Sequence, residues 1–294
     1  MRPVFIVGTA RSGTSLLYRT IILHSDFFVG EVCLEETRVF EEATRILPRL
    51  QKREKNPLYK YMLRDDEQFR QFVRSLYPVA LAQWGPDVLL RKLGWWPYPE
   101  RVWKAMGGQK VVKEFFRKAK IARGGKRIVE KTPSHLNCVG YIVEAFPKCK
   151  IISTARHPID VYTSYVRRKE KTGEEWLRVS PDDFCEIYKS ATKKINYLKK
   201  SISNFKVIKY EDITSSPKKT FEKICKYINV KFEKGPIRGK IESLSDWKKD
   251  PYLSEPISKA TKDWKKYIKE EEKEEIYEKV GSQMKEMGYA RKNE

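Results

Sequence analysis

The sequence predicts an α/β fold of three layers, a central parallel sheet flanked by helices and carrying a large, mostly helical insertion. Three observations lead there. The β-branched run from Val4 to Val7 passes through a tight turn, Gly8 to Gly13, into a helical pattern with Leu16, Leu17, Ile21 and Ile22 on one face. Three further short apolar runs after residue 126 each precede a helical pattern. Parallel neighbours need such crossovers, so the alternation argues for a parallel sheet with functional loops at the strands' C-terminal ends. Between about residues 37 and 125 the spacing is mainly helical, with Leu47, Leu50, Leu63, Phe69, Phe72, Val73, Leu76, Val79 and Leu81 recurring at helical spacings.

In chain order, the first strand, turn and helix are followed by a turn at His24–Asp26 and a short extended segment to Glu31. Glu35-Glu36-Thr37-Arg38-Val39 opens the helical insertion, which the aromatic loop Gly94–Pro99 interrupts. Arg127–Val129 reads as the second strand. It leads to Glu130-Lys131-Thr132-Pro133-Ser134-His135, where Pro133 suits a first helical turn, and Leu136, Val139, Ile142, Val143 and Phe146 stripe the helix that follows. Lys150–Thr154 is a third strand, closing with Ala155-Arg156-His157-Pro158. Pro158 opens a helix with Asp160 in its first turn, where a carboxylate complements the dipole. A helix over about 181–203, a fourth strand at Phe205–Tyr210 and a helix through Asn229 come next. Residues 235–258 read as an irregular loop, and two terminal helices near 259–269 and 271–287 complete the chain. With no repeat, low-complexity tract or clear linker, the 294 residues form a single domain.

Composition bounds the function. Forty per cent apolar residues and seven Trp supply a core, and no apolar run approaches the ~20 residues that span a bilayer. Met1 directly before the first strand leaves no room for a signal peptide or anchor. Cys33, Cys138, Cys149, Cys185 and Cys225 are odd in number, scattered and without metal-ligand spacing, so a reduced cytoplasm is expected and no metal. A net charge of +22 suits an anionic partner, although the lysine-rich end of the chain is dense in Glu too and reads as paired helix.

The chemistry concentrates at strand ends. Gly8-x-x-x-x-Gly13 has the spacing of a Walker A loop, and strand, glycine loop and helix together aim backbone N–H groups at a phosphate. The next residue is Thr14, where a nucleotide hydrolase needs Lys. Arg11 is the loop's only cation, the hydroxyls of Thr14 and Ser15 accompany it, and the backbone N–H groups of Ser12 to Ser15 lie in the same turn. The second constellation follows the third strand. If its helix starts at Pro158, Ser164 and Arg168 share a face at i,i+4, with Arg156 at the strand end. Two guanidiniums and a hydroxyl converging on one point suit a phosphate monoester.

Both segments resemble those of sulfotransferases. Residues 10–15, Ala10-Arg11-Ser12-Gly13-Thr14-Ser15, are similar to the family's Pro-Arg/Lys-Ser-Gly-Thr-Thr/Ser donor loop, with Ala10 in the proline position. The Arg156–Arg168 pattern resembles its 3′-phosphate-binding segment. The resemblance implies a P-loop-type fold and a sulfonate donor, 3′-phosphoadenosine 5′-phosphosulfate (PAPS), leaving as adenosine 3′,5′-bisphosphate without a metal. It implies that Glu36 is the catalytic base, because Glu35-Glu36-Thr37-Arg38-Val39 is similar to the acidic segment of tyrosylprotein sulfotransferases. It further implies that Lys131 contacts the transferring sulfonate and that Tyr210-Glu211-Asp212 lies near the nucleotide; Met284-x-x-Met287-Gly288-Tyr289 is similar to the terminal helix of bacterial members. The insertion, which would choose the acceptor, matches no segment of the family.

Glu130 and His135 flank the same strand end as Lys131 and are rival bases. Lys259, in the loop before Trp264, is a solvated lysine or a closure over the nucleotide. The acceptor is a small molecule, a glycan or an acidic peptide; lacking a secretory segment, the chain favours the first two. Two other classes compete. A P-loop kinase or hydrolase would need a lysine at position 14 and a magnesium carboxylate, for which Asp212 alone offers itself. A nucleic-acid-binding protein rests on charge alone, with no recognition motif, so no nucleic-acid partner is expected.

Overall fold

The fold, seen in a computed structural model, is described for residues 1–27, 40, 108–121, 124–238, 257 and 264–291. Four parallel strands form the sheet: β1 (Val4–Gly8), β2 (Val129–Lys131), β3 (Lys150–Ala155) and β4 (Phe205–Lys209). Their spatial order is β2-β1-β3-β4. The order reverses between β1 and β3, and both strands end at that switch point, where open α/β sheets bind their ligands.

Strand alternation sends side chains to two cores. Phe5 and Val7 of β1, with Ile151 and Phe205, face one layer built from α2 (Gly108–Ile121), α3 (Val139–Ala145) and α5 (Pro181–Ser201). Phe5, Phe116 and Phe146 meet there with ring centroids 5.1–5.9 Å apart. Val4, Ile6, Ile152 and Ile208 face the other layer, α1 (Thr14–Ile22) and a later helix, α7 (Pro217–Ile228). Helix, sheet and helix are the three layers expected. A third cluster joins α4 (Pro158–Thr172) and α5 to the terminal helix through Tyr162, Phe184, Ile276, Val280 and Met284.

Helix boundaries follow local chemistry. α4, α5 and α7 each have Pro in the first turn, where its missing N–H costs nothing. Ser180 caps α5 by accepting from the Asp183 N–H at 3.1 Å. Gly173 and Asn229 end α4 and α7 in the left-handed conformation.

The structure corrects several boundaries. The second strand is Val129–Lys131 rather than 127–129; Arg127 forms only an isolated bridge with Phe27, and the ladder to β1 begins at Val129. The helix after Pro133 starts as a 3₁₀ segment, Pro133–Cys138. Tyr210 opens α6 (Tyr210–Ser215) instead of closing β4. The single helix expected through Asn229 is split, because Ser216 before Pro217 leaves the helical region at φ −137° and ψ 59°. Within the expected loop 235–258, Gly235–Arg238 forms a short helix, α8. Near the end, Trp264–Lys266 is a 3₁₀ turn and α9 spans Glu270–Glu286. Most of the helical insertion, including the Gly94–Pro99 loop, lies outside the described residues; its last part is α2.

Candidate active site

The loop between β1 and α1 takes its shape from three positive-φ residues: Gly8 at 145°, Arg11 at 65° and Gly13 at 95°. Two of them also answer to close neighbours. A Cβ on Gly8 would lie 3.0 Å from the carbonyl and hydroxyl oxygens of Thr154, and one on Gly13 only 2.4 Å from Tyr210 Cδ2. Ser12, fully buried, anchors the loop: its Oγ donates to the Thr9 carbonyl at 2.7 Å and lies 2.6 Å from Thr154 Oγ1 on β3. Gly13 precedes α1 without a side-chain cap, so the helix presents its first-turn amides and positive end to the loop. Thr14 is buried at that end and Ser15 half-buried beside it.

Arg11 then meets the second segment. Its Nε donates to Ser164 Oγ of α4 at 3.2 Å, and its carbonyl accepts from Arg156 Nη1 at 3.1 Å. Arg156, 5% exposed, stacks its guanidinium 4.1 Å from the centroid of the Tyr210 ring. Tyr188 of α5 steadies the same residue by donating its hydroxyl to the Arg156 carbonyl at 3.4 Å. Among the described residues the buried Arg156 Nε has no hydrogen-bond acceptor. A guanidinium donor in that state is open to an acceptor, and an anionic one suits it best. The structure thus joins Arg11, Gly13, Arg156, Ser164 and Tyr210 in one contiguous cluster. Arg168 follows Ser164 by one helical turn, and its guanidinium pairs with Glu174 at 3.5 Å.

Strand β2 ends beside the loop. Lys131 pairs in register with Ile6 and shares the face that α1 covers, while Glu130 pairs with Phe5 and turns to the opposite face. Both are buried. Glu130 accepts from Thr132 Oγ1 at 2.6 Å and lies 3.1 Å from His135 Nδ1. His135 Nε2 receives the Phe40 N–H at 3.4 Å, and the two rings meet edge-on at 5.2 Å. One neutral His135 tautomer, protonated at Nδ1, satisfies both contacts. Glu36, Cys33 and Lys259 lie outside the described residues. His24 and His157 are held by backbone carbonyls, those of Lys231 at 2.6 Å and Ala290 at 3.0 Å.

With this geometry in view, the relatives are decisive. The model of the family described as the sulfotransferase family matches residues 3–234. The chain belongs to the sulfotransferase family. It is an enzyme of sulfonate transfer. Solved structures of the same shape include the sulfotransferase domain of the Synechococcus olefin synthase, at 15% identity and a TM-score of 0.55, covering 99% of this chain and 96% of that one. The sulfotransferase domain of the curacin biosynthetic pathway follows at 17% identity and 0.51, covering 99% of each. A sulfotransferase from Alicyclobacillus acidocaldarius matches at 17% and 0.50, covering 99% of this chain and 98% of that one. At such identities the likeness speaks for the fold. No curated protein matches the sequence. No described helix is long and apolar enough to cross a membrane.

Three residues of the candidate site escape a reading of the sequence. Thr154 tethers the loop, Tyr188 holds Arg156, and Tyr165 lies close enough to feel the Arg11 charge. Burial pushes the Tyr165 phenol up, and Arg11 opposes that rise. None carries a motif; each is set by contacts between segments far apart in the chain.

Proposed function

We propose that this sulfotransferase takes its sulfonate from PAPS and delivers it to an acceptor hydroxyl or amine by in-line displacement. The observation that carries the reading is the contact of two segments from either side of the sheet's switch point. Arg11 of the loop touches Ser164 at 3.2 Å, and Arg156 touches Arg11 at 3.1 Å, so one doubly phosphorylated nucleotide can bridge both. The residues fit such a ligand. The α1 amides, Ser12, Gly13, Thr14 and Ser15 form the 5′ side, while Arg156, Ser164 and Arg168 form the 3′ side, with Tyr210 beside Arg156. The bound donor would supply the activated sulfonate.

The chain's own residues do the rest. Arg11 and Lys131 stabilise charge on the sulfonate and the leaving oxygen, the kind of electrostatic support that dominates many enzymes. Glu36 takes the acceptor proton, a role worth typically ~10²–10⁴-fold. Glu130 and His135, buried and directed at each other, hold the end of β2; that geometry supports Glu36 over either of them as the base. The acceptor is a small-molecule or glycan hydroxyl ahead of an acidic peptide, in the cytoplasm. Among the described residues Cys138, Cys149, Cys185 and Cys225 form no disulfide.

Titration calorimetry with adenosine 3′,5′-bisphosphate tests the reading. Binding is expected for the wild type and for Glu36→Gln, and its loss for Arg11→Ala and Arg156→Ala. Glu36→Gln should then transfer sulfonate from labelled PAPS poorly, whereas EDTA should not slow the wild type. No affinity of the wild type for the bisphosphate overturns the donor assignment.

A further inference from the structure

The last described residues close back onto the nucleotide end of the sheet. Tyr289 donates its hydroxyl to Glu211 Oε2 at 2.9 Å, and Glu211 Oε1 accepts the His157 N–H at 2.9 Å. The His157 ring packs edge-on against Tyr289 at 5.7 Å and reaches the Ala290 carbonyl at 3.0 Å. Lys209 Nζ donates to the Gly288 carbonyl at 2.7 Å and sits 4.4 Å over the Tyr289 ring. One short stretch, Gly288–Ala290, therefore ties together the chain just past β3 and just past β4.

Those two points adjoin the stacked pair of the site. Arg156 precedes His157, and Tyr210 precedes Glu211. The β3–β4 ladder ends at Ala155 and Lys209. Arg156 and Tyr210 are thus the first residues beyond it, where no ladder bond fixes their separation. Glu211, on the β4 side, crosses the gap with one oxygen to the His157 N–H past β3 and takes Tyr289 with the other, and it serves α4 as a carboxylate at an N-terminus that has no side-chain cap of its own. Burial and the Glu211 charge push the Tyr289 phenol up, so it remains a hydrogen-bond donor.

We propose that Tyr289 and Glu211 form a clasp that positions Arg156 against Tyr210 for donor binding. They are positioning residues, acting through the pair they hold, and the proposal rests on the donor site of the preceding subsection. A hydrogen bond to a charged group is worth about one tenfold step in an equilibrium constant when its loss is transmitted to a site.

Bisphosphate affinity and thermal unfolding of the full chain test it together. Tyr289→Phe should weaken the bisphosphate Kd roughly tenfold and raise KM for PAPS with kcat nearly unchanged. Tyr289→Phe added to Glu211→Gln should weaken binding no further than Glu211→Gln alone. Asn196→Ala serves as the control. It removes the 2.8 Å bond from Asn196 to Glu286 at the end of α9, loosening that helix without touching the clasp, and should leave Kd unchanged. A wild-type Kd in Tyr289→Phe overturns the clasp, as does an equal loss in Asn196→Ala. Failure of the wild type to bind the bisphosphate is a different result and removes the donor site itself.

Discussion

At the scale of the residue, Gly13 shows how narrowly the loop is specified. Its φ of 95° is strained for any L side chain, and a methyl group would fall 2.4 Å from the Tyr210 ring. Gly13→Ala should therefore push Tyr210 off Arg156 and weaken bisphosphate binding by at least about tenfold, with a stability loss of about 1 kcal/mol from the backbone alone. Calorimetry and urea unfolding measure the two effects separately; an unchanged Kd would show that the ring contact is irrelevant to the ligand. The glycine spacing made this position legible in the sequence, because a strand-to-helix turn of that length needs such residues. Its partner Tyr210 was legible only by resemblance, since what brings that ring onto Gly13 is the pairing of β3 with β4.

At the scale of the element, the strand ends carry the site. Ser12 and Thr154 join the loop to β3 across 2.6 Å in a fully buried setting. Thr154→Val keeps the strand but removes the Thr154 hydroxyl's bond to Ser12, which retains its bond to the Thr9 carbonyl, and should cost about 1 kcal/mol of unfolding free energy by urea melts. Donor affinity should fall with it, because the loop loses its tether. All four strands were legible from their apolar runs, and their order of appearance gave a parallel sheet. The edges shifted by one or two residues where a boundary depends on a neighbour. Arg127 misleads in this way: it precedes an apolar pair, yet the partner residues of β1 begin opposite Val129. Glu130 and His135 look like acid–base candidates in sequence. Folded, strand alternation turns Glu130 away from the Lys131 face, and the 3₁₀ segment brings His135 to it beside Phe40.

At the scale of the whole molecule, burial governs the response to alkali. Desolvation pushes the Cys149 thiol up to about 12 and those of Cys185 and Cys225 to about 11, against an ordinary value of 9.0. Their folded pKa values lie above the unfolded ones. The stability they carry is complete below pH 9 and declines as pH rises towards 11–12, by up to about 1.4 kcal/mol per unit for each thiol. Urea melts at about pH 8 and pH 10 should show a smaller drop for Cys149→Ala than for the wild type. Thiol-reactive probes should leave Cys138, Cys149, Cys185 and Cys225 unmodified in the native state, since all four are buried.

Strand β1 has a consequence for how the molecule comes into being. Every residue of Val4–Gly8 is buried, and its partners are Val129–Lys131 on one side and Lys150–Ala155 on the other. During synthesis these partners emerge on the order of ten seconds after β1 itself. Through that interval an apolar, unpaired ribbon followed by the phosphate loop waits in the open, within reach of a neighbouring nascent chain. The earliest part of the candidate site to be made therefore waits for β3 before it is sealed, and soluble yield in cells is expected to fall with rising temperature or chaperone depletion.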